Sequence, residues 1–140
     1  MPLQIDSFAA NLPYASPFVG PVNYTVHVKL DISTMTTAEV DADGYLKPGL
    51  PLAIAAGLAT LVGAAPAFVY GCVVEATKLP VVVPATNTTL AAETNDCLVA
   101  VATHSILNRD IVEDNLGRVL SANELAGIDA AGSHTRLTTT

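Results

Sequence analysis

The sequence predicts a mainly β fold with one or two short C-terminal helices and an extended N-terminal arm. Three observations carry that expectation: a run of strict apolar–polar alternation, several short apolar segments punctuated by Gly and Pro, and a helix-capping signature close to the C-terminus. A chain of 140 residues suits one domain, here 22–140, behind an arm of 1–21.

The arm holds Pro2, Pro13, Pro17 and Pro21 among isolated apolar residues Leu3, Ile5, Phe8, Leu12, Tyr14 and Phe18. The prolines prevent a regular helix, and the spacing suits no alternating strand. Yet two of the three Phe of the chain lie here, which a purely solvated tail rarely carries. The segment is expected to order on a partner, with Leu3, Ile5, Phe8, Tyr14 and Phe18 as its anchors. Val22, Tyr24, Val26, Val28, Leu30 and Ile32 then alternate with Asn23, Thr25, His27, Lys29 and Asp31. That is a half-buried strand with one solvated face.

Asp43-Gly44 and Pro48-Gly49 bracket Tyr45-Leu46-Lys47 as turns of a hairpin-like segment. Leu50 to Tyr70 is apolar enough to raise a membrane span, but Pro51, Gly57, Gly63 and Pro66 interrupt it and no Lys/Arg cluster flanks it. Buried strands in a small-residue core are expected there instead. Ala67 to Glu75 reads as a strand, Val81–Val83 between two prolines as an edge strand, and Thr86 to Asp96 as a polar loop. Cys97 to Leu107 is a second strongly apolar strand. Asn108 to Arg118 suits a helical turn ended by Gly117, and Ser121-Ala122-Asn123-Glu124 has the capping-box form that opens a helix over 122–131. The tail from Leu137 to Thr140 is expected to fray.

Composition narrows the function. Hydrophobic residues make up 51% of the chain and charged residues 14%, against roughly 25% charged in an ordinary soluble domain. Mean hydropathy is +0.46. A chain of this size buries about two-thirds of its unfolded surface, so much apolar area is expected to face a partner, either itself or a larger surface. The formal charge of −7 and the six scattered Lys and Arg argue against nucleic acid and against an anionic membrane. The start of the chain shows neither the positive region nor the apolar core of a signal peptide. Cys72 and Cys97 sit in apolar stretches and read as small hydrophobes rather than a disulfide.

Catalytic chemistry has few candidates. His104 ends an apolar strand near Asn108, Arg109 and Asp110, and these could form a polar cluster with a charge-assisted pair. It lacks a nucleophile. His27 and His134 read as surface residues, and Asp41 and Asp43 as turn residues rather than a calcium loop. The sequence holds no HExxH, paired CxxC, Walker loop or GxGxxG. Neither a catalytic residue, a cofactor nor a metal is expected.

The stretch Asp43-Gly44-Tyr45-Leu46-Lys47-Pro48-Gly49-Leu50-Pro51-Leu52 resembles the head decoration (capsid cement) proteins of tailed bacteriophages, the group that includes the lambda decoration protein. Tyr70 to Glu75 fits a later strand of that family. The strongest similarity runs from His104 to Asp110, through Asn115 to Arg118, to Leu125, Ile128 and Arg136-Leu137, where the family has a strand ending in an Asn-containing turn and a short closing helix. The resemblance covers roughly 40–137. It implies a small β-barrel or tulip-like domain that forms a homotrimer. It further implies binding to the major capsid protein on the outer surface of the expanded head, at three-fold or quasi-three-fold positions, and resistance to internal DNA pressure. A different virion or shell component, such as a tail or fibre protein, shares every compositional argument. A small ligand-binding or enzymatic β-barrel built on His104, Arg109 and Asp110 is the remaining alternative.

Overall fold

The computed structural model describes residues 14–22, 24–63, 68–80 and 97–139. In chain order the elements are β1 (Tyr24–Lys29), a 3-10 turn (Ile32–Thr34), β2 (Tyr45–Leu46), β3 (Pro51–Ala55), β4 (Leu58–Leu61), β5 (Gly71–Val73), β6 (Thr77–Lys78), β7 (Leu98–Asn108), α1 (Arg109–Leu116), α2 (Ala122–Asp129) and β8 (His134–Thr138). The fold is mainly β. Five strands form one antiparallel sheet in the order β1-β7-β5-β3-β4, with β8 joining β7 in parallel, while β2 and β6 make a separate ribbon.

The alternating segment forms β1 as expected, with Val26 and Val28 turned toward the core and Leu30 and Ile32 fully buried beyond it. Asp31 caps the following 3-10 turn by accepting from the Ser33 N–H at 3.2 Å. The apolar run after Pro48-Gly49 divides into the β3–β4 hairpin, turned at Ala56 (φ 53°) and Gly57 (φ 80°). Two central residues at positive φ give the tight turn whose twist matches the flanking strands. The Asp41–Tyr45 turn is tied by its own side chain, since Asp41 Oδ1 accepts from the N–H groups of Asp43 and Tyr45.

Both C-terminal helices form where their caps lie. Asn108 accepts from the N–H groups of Asp110 and Ile111 at the start of α1, and Gly117 ends it in the left-handed conformation. A full capping box of Ser121 and Glu124 opens α2, which stops at Asp129. Val112, Leu116 and Ile128 of these helices pack with Leu52, Val73, Val99, Val101 and Leu107 of the sheet in one core. Burying a Val or Leu side chain fully contributes about 1.5–3 kcal/mol, so this contact is the main reason two eight-residue helices hold.

Four expectations change. The sheet curls without closing into a barrel: a single bridge from Leu30 to Ala59 brings β4 back toward the end of β1. The tail does not fray at Leu137 and Thr138, which pair with Leu107 and Asn108. Of the strand expected over 67–75, the described residues 68–75 are regular only for Gly71–Val73. Residues 14–19, assigned to the arm, lie against the domain. Tyr14 donates to Asp41 Oδ2 at 2.6 Å, and Asn115 holds both backbone groups of Ala15. Pro17 is buried, Phe18 bridges Leu107, and Val19 N–H donates to Ile106 at 2.8 Å. Gly49 (φ +90°) admits this strap, because a Cβ there would meet Pro17 Cγ at 3.1 Å. Leu3, Ile5 and Phe8, the edge strand at 81–83 and the polar loop at 86–96 lie outside the described residues. Among the described residues no helix is long and apolar enough to cross a membrane.

Candidate interaction surface

β7 is the strand on which the surface is built. Its odd residues Val99, Val101 and Leu107 are buried, whereas Leu98, His104 and Ile106 are exposed. The even positions therefore face outward, apart from Ala102, which is fully buried. β8 runs beside it with His134 opposite His104 and Arg136 opposite Ile106, both exposed, while Thr135 between them is fully buried. β1 supplies Thr25, His27 and Lys29 opposite Ala102, Ala100 and Leu98.

Tyr24 departs from the alternation. Its even position predicts burial, yet it is 61% exposed. The register shifts between Tyr24 and Thr25, and such a bulge re-aims the side chain to the other face. Tyr24 thus meets His104 with ring centroids 4.7 Å apart, and His104 stacks on His134 at 4.4 Å and 9°. The Thr103 hydroxyl lies 3.1 Å from His104 Nδ1, which steadies the ring and leaves its Nε2 edge unoccupied by that contact.

Beside this stack opens a groove of about 330 Å³. Val19 and Ile106, each 50% exposed, line it. Pro21, His104, Ser105, His134 and Arg136 complete the lining. Arg136 Nη1 donates to the carbonyls of Ser133 (3.4 Å) and Thr135 (3.0 Å), fixing the guanidinium over its own strand. On the opposite, buried face of the two strands, the hydroxyl oxygens of Ser105 and its register partner Thr135 have no hydrogen-bond partner.

The polar cluster expected from His104, Arg109 and Asp110 does not assemble. His104 is held in the ring stack, whereas Arg109 Nε pairs with Glu113 at 3.2 Å one turn along α1. Asp110 occupies the first turn of α1, where a carboxylate suits the helix dipole. Tyr14 and Phe18 are engaged by this chain's own Asp41 and Leu107. Among the described residues no group of three or more His, Cys, Asp or Glu is placed to hold a metal ion. Both cysteines are free. Burial pushes the Cys72 thiol up to about 12, which keeps it protonated and unreactive.

Most other charges serve the fold. Arg118 donates to both oxygens of buried Glu124 (2.7 and 3.0 Å) and lies 3.8 Å from buried Glu39. Glu113 accepts from the Leu120 N–H at 2.7 Å, and Lys47 Nζ donates to the carbonyls of Ala38 and Leu116. Burial lowers the Lys47 pKa, while the hydrogen bonds donated to Glu124 raise that of Arg118.

Sequence reasoning missed His134, Arg136, Tyr24 and Val19 as members of one surface. The missing signal was the parallel pairing of β8, which nothing local announces. Its alternation His134-Thr135-Arg136 was the available clue. No protein-family model matches the chain, and no curated protein or solved structure matches it either.

Proposed function

We propose that this chain is a structural surface-binding protein without catalytic activity, and specifically a head decoration protein of a tailed bacteriophage. In this reading it is a homotrimer that binds the major capsid protein on the outer surface of the expanded head, at three-fold or quasi-three-fold positions. The observation that carries the reading is the outer face around the C-terminal end of β7, where Val19, Tyr24 and Ile106 stand 50–61% exposed. Apolar residues gathered this way mark an interaction site rather than ordinary surface. The residues that carry the family resemblance also support it. Asp43 to Leu52 form the turn and the entry to β3, and Asn108 ends β7 while capping α1.

The mechanism is stapling by many weak contacts. Because Tyr14 and Phe18 are engaged by their own domain, contacts from the arm fall to Leu3, Ile5 and Phe8. A segment of this kind adds to a partner by main-chain pairing with side chains in pockets. Three copies tied together raise the effective concentration of each arm.

Sedimentation of the full chain, followed by binding to expanded and unexpanded heads, tests the proposal. A trimer that binds expanded heads alone is expected. Removal of residues 1–13 should leave the melting temperature near that of the full chain and weaken head binding. A stable monomer at micromolar concentration that ignores both head forms would sink the reading.

A further inference from the structure

We infer that His104 and His134 form a two-histidine site for a late first-row divalent metal ion, zinc above all, which clamps the last strand onto the central one. The inference goes beyond the decoration reading and does not depend on it. Its first ground is position. His104 on β7 and His134 on β8 are register partners in a parallel pairing, both exposed, with rings stacked at 4.4 Å and 9°. Imidazole nitrogen is a favoured donor for zinc, copper and nickel. Two Zn–N bonds of 2.0–2.1 Å at a tetrahedral angle place the nitrogens about 3.3 Å apart. Rings that already face each other across adjacent strands reach that spacing by tilting out of the stack, and exposed side chains are free to tilt.

The second ground is the tautomer. The Thr103 hydroxyl donates its one proton to the Tyr24 carbonyl at 3.4 Å. Toward His104 Nδ1, 3.1 Å away, the same oxygen therefore accepts, so Nδ1 carries the ring hydrogen. Nε2 is left with its lone pair. A metal-binding histidine is held in this way, one ring nitrogen donating to a nearby oxygen while the other faces the ion. Among the described residues the ring of His134 makes no hydrogen bond and has only its stacking contact. Tyr24 packs on His104 with centroids 4.7 Å apart.

Two protein ligands leave coordination positions for water, so the site is an open one rather than a closed structural centre. Arg136 lines the same groove and its charge opposes the ion, although its Nη1 is turned to the carbonyls of Ser133 and Thr135. The site gains most by what it joins. β8 is five residues long and its strand partner is β7. An ion bound to both strands favours the state in which they are paired. His27 is the internal control, since it is exposed on β1 opposite Ala100 and has no histidine as its register partner.

The test uses the full chain without an affinity tag. Isothermal titration with zinc chloride reads affinity and stoichiometry, magnesium chloride serves as the hard-cation control, and imidazole resonances report the ligands. One zinc per chain should bind, shifting the rings of His104 and His134 and leaving His27 in place, while magnesium should not bind. His104→Ala and His134→Ala should each weaken binding at least about tenfold, and Thr103→Val about tenfold through loss of the Nδ1 partner. His27→Ala and Cys97→Ser should leave it unchanged. Arg136→Gln should tighten it by roughly twofold to fivefold, the sign opposite to that of an anion site. Zinc should raise the melting temperature of the parent chain but not that of His134→Ala. Equal zinc affinity in the parent and in folded His134→Ala would overturn the site, as would absence of saturable binding. Zinc that binds only by joining two copies, seen as a doubled mass in sedimentation, would overturn the clamp as well.

Discussion

At the helical corner Arg118, Glu124, Glu113 and Lys47 have internal partners, while on the outer sheet face Arg136, two histidines and exposed apolar side chains stand together. Arg118, Glu124 and Glu39 form a compact set, and Glu113 and Lys47 hold backbone groups at the ends of α1 and α2. Tyr24, His104, Ile106, His134 and Arg136 are all exposed. The difference separates residues that hold the fold from residues available to a partner. Substitution should therefore cost stability in the first region and association in the second.

Arg118→Ala probes the corner hardest, since it strands the Glu124 carboxylate at 3% exposure. A loss of about 2–3 kcal/mol is expected in urea unfolding, below the cost at a fully buried pair because the Arg118 side chain is 30% exposed. Asn115→Ala should follow at about 1–2 kcal/mol, since it leaves the Ala15 N–H and carbonyl without their partner. Proteolysis near residue 14 should accelerate in that variant.

Glu113 sharpens the comparison through pH. The Leu120 N–H first, and Arg109 second, hold its carboxyl below the usual glutamate value of 4.5. The folded-state pKa lies below the unfolded one, so this stabilisation is present above pH 4.5 and is lost as pH falls through the folded value. Glu113→Gln should be less stable at pH 7 by about 1 kcal/mol, and its unfolding midpoint should fall less steeply in acid than that of the parent chain. Ala56→Asn should gain about 0.5–1 kcal/mol, because Asn tolerates the left-handed conformation found at Ala56. Tyr24→Ser and Ile106→Ser should move stability by no more than about 0.5 kcal/mol. Their effect should appear in assembly and head binding, and a large drop in melting temperature would erase the distinction between the two regions.

Local signals were legible in the chain wherever the controlling physics was local. The alternation from Val22 to Ile32 located β1, Ser121 and Glu124 located α2, and the Asp41–Asp43 turn residues acted as turn residues. What escaped depended on distant pairing. The strap of residues 14–19 looked like free arm because its partners, Asn115 and Leu107, lie far along the chain. β8 looked like a fraying tail because a parallel strand needs a neighbour that sequence alone does not name. Tyr24 was placed on the wrong face by a bulge that breaks the alternation without any Gly or Pro to mark it. His104 and Arg109 were paired by proximity in sequence, but the strand-to-helix turn at Asn108 sends them into different surroundings.

The strap has a consequence for how the molecule comes to its native state. Asn115 and Ala15 are 100 residues apart along the chain, and Phe18 meets Leu107 on one edge of β7 while Leu137 takes the other. Neither edge can be filled until β7 exists, and β8 must wait for both helices. Closing so long a loop carries an entropic cost that no early local contact offsets. Folding dominated by such distant pairings falls in the millisecond-to-second range rather than the microseconds of a helical bundle. During that interval β7 presents an apolar strand with open edges, the form most prone to pair with another chain. The order of events on the nascent chain thus decides whether that strand is closed by its own two ends or by a neighbour's.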